Sequence, residues 1–303
     1  MSGNTMGRAA SRRGLLLVVL AAALWGTSGV ATKGIYGLSE ASPLMVAALR
    51  LALGAPLLWL AYRALSGEHN AHIAGRDLGW MALAGASLGL SQACYFAAIA
   101  RVGVAIATLV TICTAPVLVS LLSASLLHER ITRYTALALA GALLGTTLLV
   151  GVGQPAGGSQ SNVATGGILL ALGAAGCFTA FILTSRVLAP RYHPLLSITV
   201  AVSIGALLLL AIAAASNGLT LHYPWQAWTL LLYLGLAPTA LGYALFFRGM
   251  QHATAAQASV GSLVGPLTST ALALVIFGER LGPLGLVGAG LLIGAVALLY
   301  RHS

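Results

Sequence analysis

Long apolar stretches separated by short polar segments fill almost the whole chain. Each stretch is long enough to cross a bilayer, whose hydrocarbon core of about 30 Å takes roughly 20 residues of helix. The stretches are continuous and rich in Leu and Ala, without the strict alternation of a β-barrel strand, and they therefore predict helices. The ten predicted spans are 15–36, 41–62, 78–99, 104–127, 135–152, 166–188, 195–215, 225–247, 255–277 and 284–300.

Composition supports the same fold class, an all-α integral membrane protein. Hydrophobic residues make up 59% of the chain and charged residues only 7%, too few to cover a water-facing surface. This excludes a soluble enzyme and a disordered chain. The net charge is +10, but the basic residues are scattered singly, so we expect the lipid bilayer as a partner and no nucleic acid. We expect a monomer or a weak dimer.

The distribution of basic residues predicts the orientation of the chain. Basic residues concentrate in cytoplasmic segments of membrane proteins. If the N-terminus is cytoplasmic, the outer segments hold only Lys33, Arg101 and Arg280, and Arg50 lies within the second span. The inner segments then hold Arg8, Arg12, Arg13, Arg63, Arg76, Arg130, Arg133, Arg186, Arg191, Arg248 and Arg301. Both termini are therefore predicted to be cytoplasmic.

The two halves of the chain share a pattern at an offset of about 150 residues. Pro116 and Glu129 recur as Pro266 and Glu279, and an Arg follows each Glu. We therefore divide the chain into a first five-helix repeat at 1–152, a Gly/Ser/Gln-rich linker at 153–165 and a second five-helix repeat at 166–303.

An odd number of helices in each repeat has a structural consequence. The second repeat must enter the membrane from the opposite side, which makes the two repeats inverted. Inverted repeats usually serve alternating access in secondary transporters. No enzyme requires this symmetry, whereas a channel could use it.

Two segments resemble a known family. The string FGERLGPLGLVGAGLLIGAVALL and its first-half counterpart LLHERITRYTALALAGALLGTTLL resemble EamA-type members of the drug/metabolite transporter superfamily over essentially the whole chain. The resemblance implies a bacterial inner-membrane transporter that exports small organic metabolites, aromatic and neutral amino acids above all. The alternatives are another substrate class, such as a drug, a nucleotide sugar or a sugar phosphate, or a passive channel.

Several motifs and groups are missing from the sequence. There is no HExxH, no GxSxG and no paired intramembrane Asp, so we expect no enzyme, and we expect no cofactor or metal. All five acidic residues lie at or beyond the ends of the predicted spans. Because proton-coupled carriers usually bury a carboxylate or a His relay, transport is expected to be facilitative.

The resemblance also implies that the first, third, fourth, sixth, eighth and ninth helices line a central cavity. Polar and aromatic residues on those helices are candidates to bind an amphipathic substrate. The candidates are Trp25, Ser28, Ser91, Gln92, Tyr95, Thr108, Thr111, Tyr243, Gln257 and Ser259. The alternatives are that a hydroxyl bonds to its own helix and that an aromatic ring only packs against its neighbours.

The sequence leaves two possible roles open for each of three further residues. Pro116 and Pro266 each free a backbone carbonyl, and each is either a hinge or a static kink. Arg50 either meets a substrate carboxylate or anchors the second helix to a neighbour.

Overall fold

The computed structural model describes residues 2–66, 74–129, 131–151, 161–216, 221–277 and 283–302, and no strand occurs among them. The ten predicted spans coincide with helical segments, except that residues 41–42 precede α2, Leu127 follows α3, Leu263 lies between two helices and residue 152 lies outside the described residues. The helices are α1 (Ser2–Leu38), α2 (Pro43–Ser66), α3 (Gly75–Leu126), α4 (Arg133–Gly151), α5 (Ser161–Leu188), α6 (Pro194–Ala215), α7 (Trp225–Leu234), α8 (Gly242–Met250), α9 (Ala255–Ser262), α10 (Val264–Phe277) and α11 (Pro283–His302), with a π-helix (Gly235–Leu241) between α7 and α8.

Eight of the described helical stretches are long and apolar enough to cross a membrane, and Val110–Leu126 is a shorter apolar helix. The predicted linker and the repeated Glu-Arg pattern lie partly outside the described residues. Residues 153–160 of the predicted linker lie outside the described residues, and residues 161–165 already belong to α5. Arg130, Glu279 and Arg280 of the repeated Glu-Arg pattern also lie outside the described residues.

The third and fourth predicted spans are two arms of the single helix α3. The hydroxyls of Tyr95 and Thr108, 13 positions apart, are hydrogen-bonded at 2.6 Å. In a straight helix their Cα atoms would lie about 20 Å apart, because each residue adds about 1.5 Å. The chain therefore reverses between them, with no loop separating the arms. The first arm runs antiparallel to α5, and the second arm runs parallel to it.

Contacts to α5 confirm the direction of each arm. Ser91 donates to the carbonyl of Ala174, and Cys94 lies next to Gly173. In the second arm, Thr111 donates to the carbonyl of Ala171, and Thr179 of α5 donates to the carbonyl of Ala115 further along.

Two predicted spans are interrupted within the membrane. The span at 225–247 contains the π-helix, where Pro238 cannot donate to the carbonyl of Leu234, and the longer turn accommodates the missing bond. The span at 255–277 breaks at Leu263 between α9 and α10. Pro266 lies in the first turn of α10, a position where a missing N–H costs nothing, since no intrahelical partner exists there.

Glycines let helix backbones approach closely in several pairs. A Cβ on Gly26 of α1 would lie 2.5 Å from the carbonyl oxygen of Gly265, and one on Gly145 of α4 would lie 2.7 Å from that of Gly288 in α11. Gly290 and Gly294 have the same four-residue spacing as Gly141 and Gly145, but an added Cβ at either would have no heavy atom within 4 Å. Small residues at four-residue spacing therefore mark a close contact in α4 but not in α11.

The start of α1 and the end of α11 lie at the same end of the bundle. Arg12 donates to the carbonyls of Tyr300 at 3.0 Å and Arg301 at 3.2 Å, and its guanidinium lies over the Tyr300 ring. Most of the basic residues predicted to be cytoplasmic also lie here, and we call this the basic end. Lys33 and Arg101 lie at the opposite end, which we call the far end.

We predict that replacing Gly145 by Ala destabilises the fold by about 1–3 kcal/mol, because the added methyl overlaps the backbone of α11. Thermal unfolding of the purified protein in detergent measures the effect. Gly290→Ala is the matched control, since its methyl meets open space and should leave the unfolding temperature unchanged or slightly higher. Equal loss in both variants would contradict the close contact.

We also predict that the basic end faces the cytoplasm. In a background without Cys94, Cys113 and Cys177, a membrane-impermeant thiol reagent outside the cell should modify Lys33→Cys but not Arg13→Cys or Arg301→Cys. The last two should react only after permeabilisation. Modification of Arg13→Cys and Arg301→Cys from opposite sides would overturn the arrangement of the termini.

Candidate functional site

A cavity of about 820 Å³ lies between the helices. Its walls come from α1, α2, both arms of α3, α5, α8, α9 and α10, whereas the described parts of α4 and α11 do not contribute. The volume falls within the range of about 300–1,000 Å³ that is typical of small-molecule sites. The fifth and tenth predicted spans, which form α4 and α11, are therefore peripheral to the cavity.

Aromatic rings form the floor of the cavity toward the basic end. The Trp25 ring centroid lies 5.1 Å from that of Tyr243 and 5.2 Å from that of Phe246. Phe181 of α5 packs beneath, 5.8 Å from Tyr243 in an edge-on geometry. Tyr243 is only 4% exposed, and Phe181 and Phe246 are fully buried, so the floor is a rigid apolar layer.

Toward the far end the cavity reaches exposed residues. Lys33 and Tyr36 near the end of α1, and Pro43 at the start of α2, all line it and are solvent-exposed. The cavity therefore extends to exposed residues at the far end.

The hydroxyl groups on the walls are held in several ways. Tyr95 and Thr108 bond to each other, and Ser91 and Thr111 bond to carbonyls of α5. Ser259 donates to the carbonyl of Ala256 in its own helix, which is the local bond expected as the alternative to substrate binding.

Two polar groups of α1 lack a partner. The indole nitrogen of Trp25 and the hydroxyl of Ser28 are buried without a hydrogen bond to any described residue, and both residues line the cavity. Buried donors are normally satisfied, so these two call for an explanation.

All but one of the predicted substrate-binding residues line this cavity. Gln257 lies instead at the start of α9, near the basic end. Its side-chain oxygen accepts from the backbone of Thr254, whose own hydroxyl accepts from the backbone of Gln257. This reciprocal pair is a capping box, a helix-start signal that the sequence T-A-A-Q already contained.

Both predicted hinge prolines also line the cavity. Pro116 lies within the uninterrupted second arm of α3, and Pro266 lies just after the break between α9 and α10. Ile112 and Ser262, whose carbonyls these prolines leave without an i+4 donor, line the same cavity. Hinge and static kink both remain predictions.

The contribution of α2 to the cavity wall was not predicted. The second helix was not expected to line the cavity, yet Pro43 and Arg50, seven residues apart and hence on one face, both do so. The sequence signal for this contribution was Arg50, the one charged residue deep within a predicted span. Phe96 and Phe178 also line the cavity, and nothing in their spacing distinguished them from packing residues.

The carboxylate of Glu129 joins several elements at the basic end. Glu129, just after α3, accepts from the Arg186 Nε of α5 at 3.0 Å and from the backbone N–H of Ala255 at 2.9 Å. Arg186 also donates to the carbonyl of Met250 at 2.7 Å. Because a charged group strengthens each hydrogen bond, this cluster ties α3, α5 and the α8–α9 corner together. We call it the Glu129 cluster.

A second ion pair lies at the same end. Arg191 donates to the Asp77 carboxylate at 2.7 Å, and the Tyr192 hydroxyl donates to the other oxygen at 2.8 Å. The described helix ends therefore meet in charged contacts at the basic end, while the cavity reaches the exposed residues of the far end.

Comparison with known proteins agrees with this architecture. The sequence pattern of the EamA-like transporter family matches residues 12–151 and, a second time, residues 165–301. The Bacillus subtilis protein described as uncharacterized transporter YwfM is 28% identical over 288 residues, which are 92% of this chain and 90% of that protein. The Salmonella typhimurium protein described as uncharacterized inner membrane transporter YicL is 29% identical over 304 residues, 97% of both chains.

A solved crystal structure shares the fold. It superposes with a TM-score of 0.77 at 21% sequence identity and covers 94% of this chain and 96% of its own.

We predict that Glu129→Gln opens the basic end. Hydrogen bonds to a charged group contribute about 1.5–3 kcal/mol, so losing the charge should shift the open-to-closed ratio by about tenfold. The measurement is the rate at which a thiol reagent, added from the basic side of oriented vesicles, modifies the cavity variant Ser262→Cys in a cysteine-free background. That rate should rise by a similar factor.

Arg133→Gln is the control for this experiment. Arg133 is exposed at the same end and contacts Tyr134, so its loss should leave the rate unchanged. Equal rates in Glu129→Gln and the parent would show that the Glu129 cluster does not hold the basic end closed.

Proposed function

The chain belongs to the EamA-like transporter family, and from that premise we propose that it exports small organic metabolites across a bacterial inner membrane. We propose aromatic and neutral amino acids as the substrates, carried by alternating access. The observation that carries this proposal is the cavity, which has the size of a small-molecule site and combines aromatic rings with hydroxyl groups.

The lining of the cavity suits an amphipathic ligand. An aromatic side chain would stack against Trp25 and Tyr243, where ring contacts contribute about 0.5–1.5 kcal/mol beyond the burial of area. The polar head would face the hydroxyls of Ser28 and Ser91 and the amide of Gln92 higher on the walls. Gln92 makes no hydrogen bond within the part of the chain that the structure describes, so its amide is available to a ligand.

Alternating access needs two states and an element that converts between them. We propose that the arrangement described above is the state open to the far end, with the Glu129 cluster as the closed gate. The reverse state would break that cluster and close the mouth around Tyr36 and Pro43. Two inverted five-helix repeats, supported by the double match of the family pattern, would supply the symmetry for this exchange.

We propose that transport is facilitative. Among the described residues that line the cavity there is no Asp, Glu or His, the groups that usually carry a coupled proton. A zwitterion has no net charge, so its flux should also depend little on the membrane potential. A cell that exports an excess metabolite already has a gradient in the required direction.

We predict that proteoliposomes containing the protein show saturable uptake of phenylalanine that internal phenylalanine stimulates. A carrier shows this counterflow because loaded return is faster than empty return, whereas a passive channel shows none. Trp25→Ala should lower the rate more than the protein level, since the stacking surface is removed. Trp59→Ala is the control, because Trp59 lies 47% exposed on the outside of the bundle.

The same vesicles test the driving force. Flux with and without an imposed pH gradient should be equal at matched substrate gradients. Accumulation against the substrate gradient that an uncoupler abolishes would overturn facilitative transport, and the absence of counterflow would overturn the carrier.

A further inference from the structure

Arg50 is a cation placed inside the apolar part of a helix. It lies seven residues into α2, lines the cavity, and has a buried Nε atom without a hydrogen-bond partner. A charged side chain within a membrane span is costly, and such residues usually face a partner or a functional cavity.

No protein group in the described part of the chain compensates this charge. Arg50 forms no ion pair or hydrogen bond with any residue that the structure describes. The carboxylates of Asp77 and Glu129 are engaged by Arg191 and Arg186 at the basic end. The phenols of Tyr36 and Tyr243, which are neutral groups, lie close enough to Arg50 to be influenced by its charge. The structure therefore gives no support to Arg50 as an anchor between helices.

Two neutral donors without partners line the same cavity. The Trp25 indole N–H and the Ser28 hydroxyl are both buried and without a bond to the described residues. A guanidinium, an indole and a hydroxyl can all donate to one acceptor-rich group. The cavity thus holds an excess of donors that the protein itself does not satisfy.

The charge on the cavity walls points to the sign of the missing partner. The described lining residues include the guanidinium of Arg50 and no carboxylate. In a low-dielectric site this balance favours a negative group and disfavours an organic cation.

We propose that Arg50 binds the carboxylate of the transported substrate, with Trp25 and Ser28 as accessory donors. The inference rests on the proposed function and narrows it, because only solutes that carry a carboxylate would be transported. A single guanidinium with neutral donors matches one negative charge better than the two of a phosphate ester. The ammonium group of an amino acid would face hydroxyls and the carbonyls of Ile112 and Ser262.

Three ligands with the same aromatic ring test the proposal on the unmodified protein. L-phenylalanine carries both charges, N-acetyl-L-phenylalanine keeps only the carboxylate, and L-phenylalaninamide lacks the carboxylate. Each is measured as a competitor of phenylalanine counterflow and as a thermal stabiliser of the protein in detergent. The first two should compete and stabilise, and the amide should do so at least about tenfold more weakly.

Variants at position 50 assign the effect to the guanidinium. Arg50→Gln should weaken phenylalanine binding about tenfold or more and remove the difference between phenylalanine and its amide. Arg50→Lys keeps the charge but not the planar fork, and should retain part of the preference. Arg101→Gln is the control, because Arg101 is exposed at the far end and not among the lining residues.

Each outcome decides between the two proposals. If phenylalanine is transported but its amide competes equally in the unmodified protein, the role of Arg50 is wrong while the proposed function stands. The same holds if Arg50→Gln keeps the full preference. If none of the three ligands competes or stabilises, the amino-acid substrate class fails, and the inference fails with it. A variant that does not fold leaves the decision to the ligand series on the unmodified protein.

Discussion

The hydrocarbon core of the bilayer offers no hydrogen-bond partners, and this constraint shapes every part of the molecule. Each span must satisfy its own backbone, so the described chain crosses the membrane only as helices. Two of the described spans depart from regular helix beside the cavity, at the π-helix Gly235–Leu241 and at the break at Leu263. The π-helix directly precedes Tyr243, and the break lies in the cavity wall itself. The backbone is therefore irregular where a cavity, rather than lipid, lies beside it.

The same constraint explains the contrast between the two ends of the bundle. At the basic end, carboxylates and guanidinium groups meet at the membrane boundary, where water reduces the cost of charge, and they join helix ends directly. Inside the bundle, hydroxyls bond to backbone carbonyls of neighbouring helices, as Ser91 and Thr111 do. Charged contacts at the basic end and hydroxyl contacts along the walls fit the proposed state, in which the basic end is closed and the far end is open.

Much of the fold follows from the sequence, because the length and composition of an apolar run decide whether it can cross a bilayer. The ten predicted spans coincide with helices apart from a few residues, and most candidate site residues line one cavity. The predicted spans require the chain to reverse between residues 99 and 104, but a reversal without a loop was not predicted, since Arg101 and Gly103 interrupt the apolar run as a loop would. Gln257 was a substrate-binding candidate because it is an amide in an apolar run, although its spacing to Thr254 also indicated a cap. The contribution of α2 depends on how the helices are arranged around the cavity, which no local pattern encodes.

The reversal within α3 also bears on how the protein enters the membrane during synthesis. The two arms are joined without a hydrophilic loop that could remain in the aqueous phase while the second arm is synthesised. The hydroxyls of Tyr95 and Thr108 satisfy each other only when both arms are side by side. A single arm in lipid would expose these groups to hydrocarbon, at a cost that the paired arms avoid. Integration of the two arms as one hairpin is therefore favoured over their sequential release into the lipid.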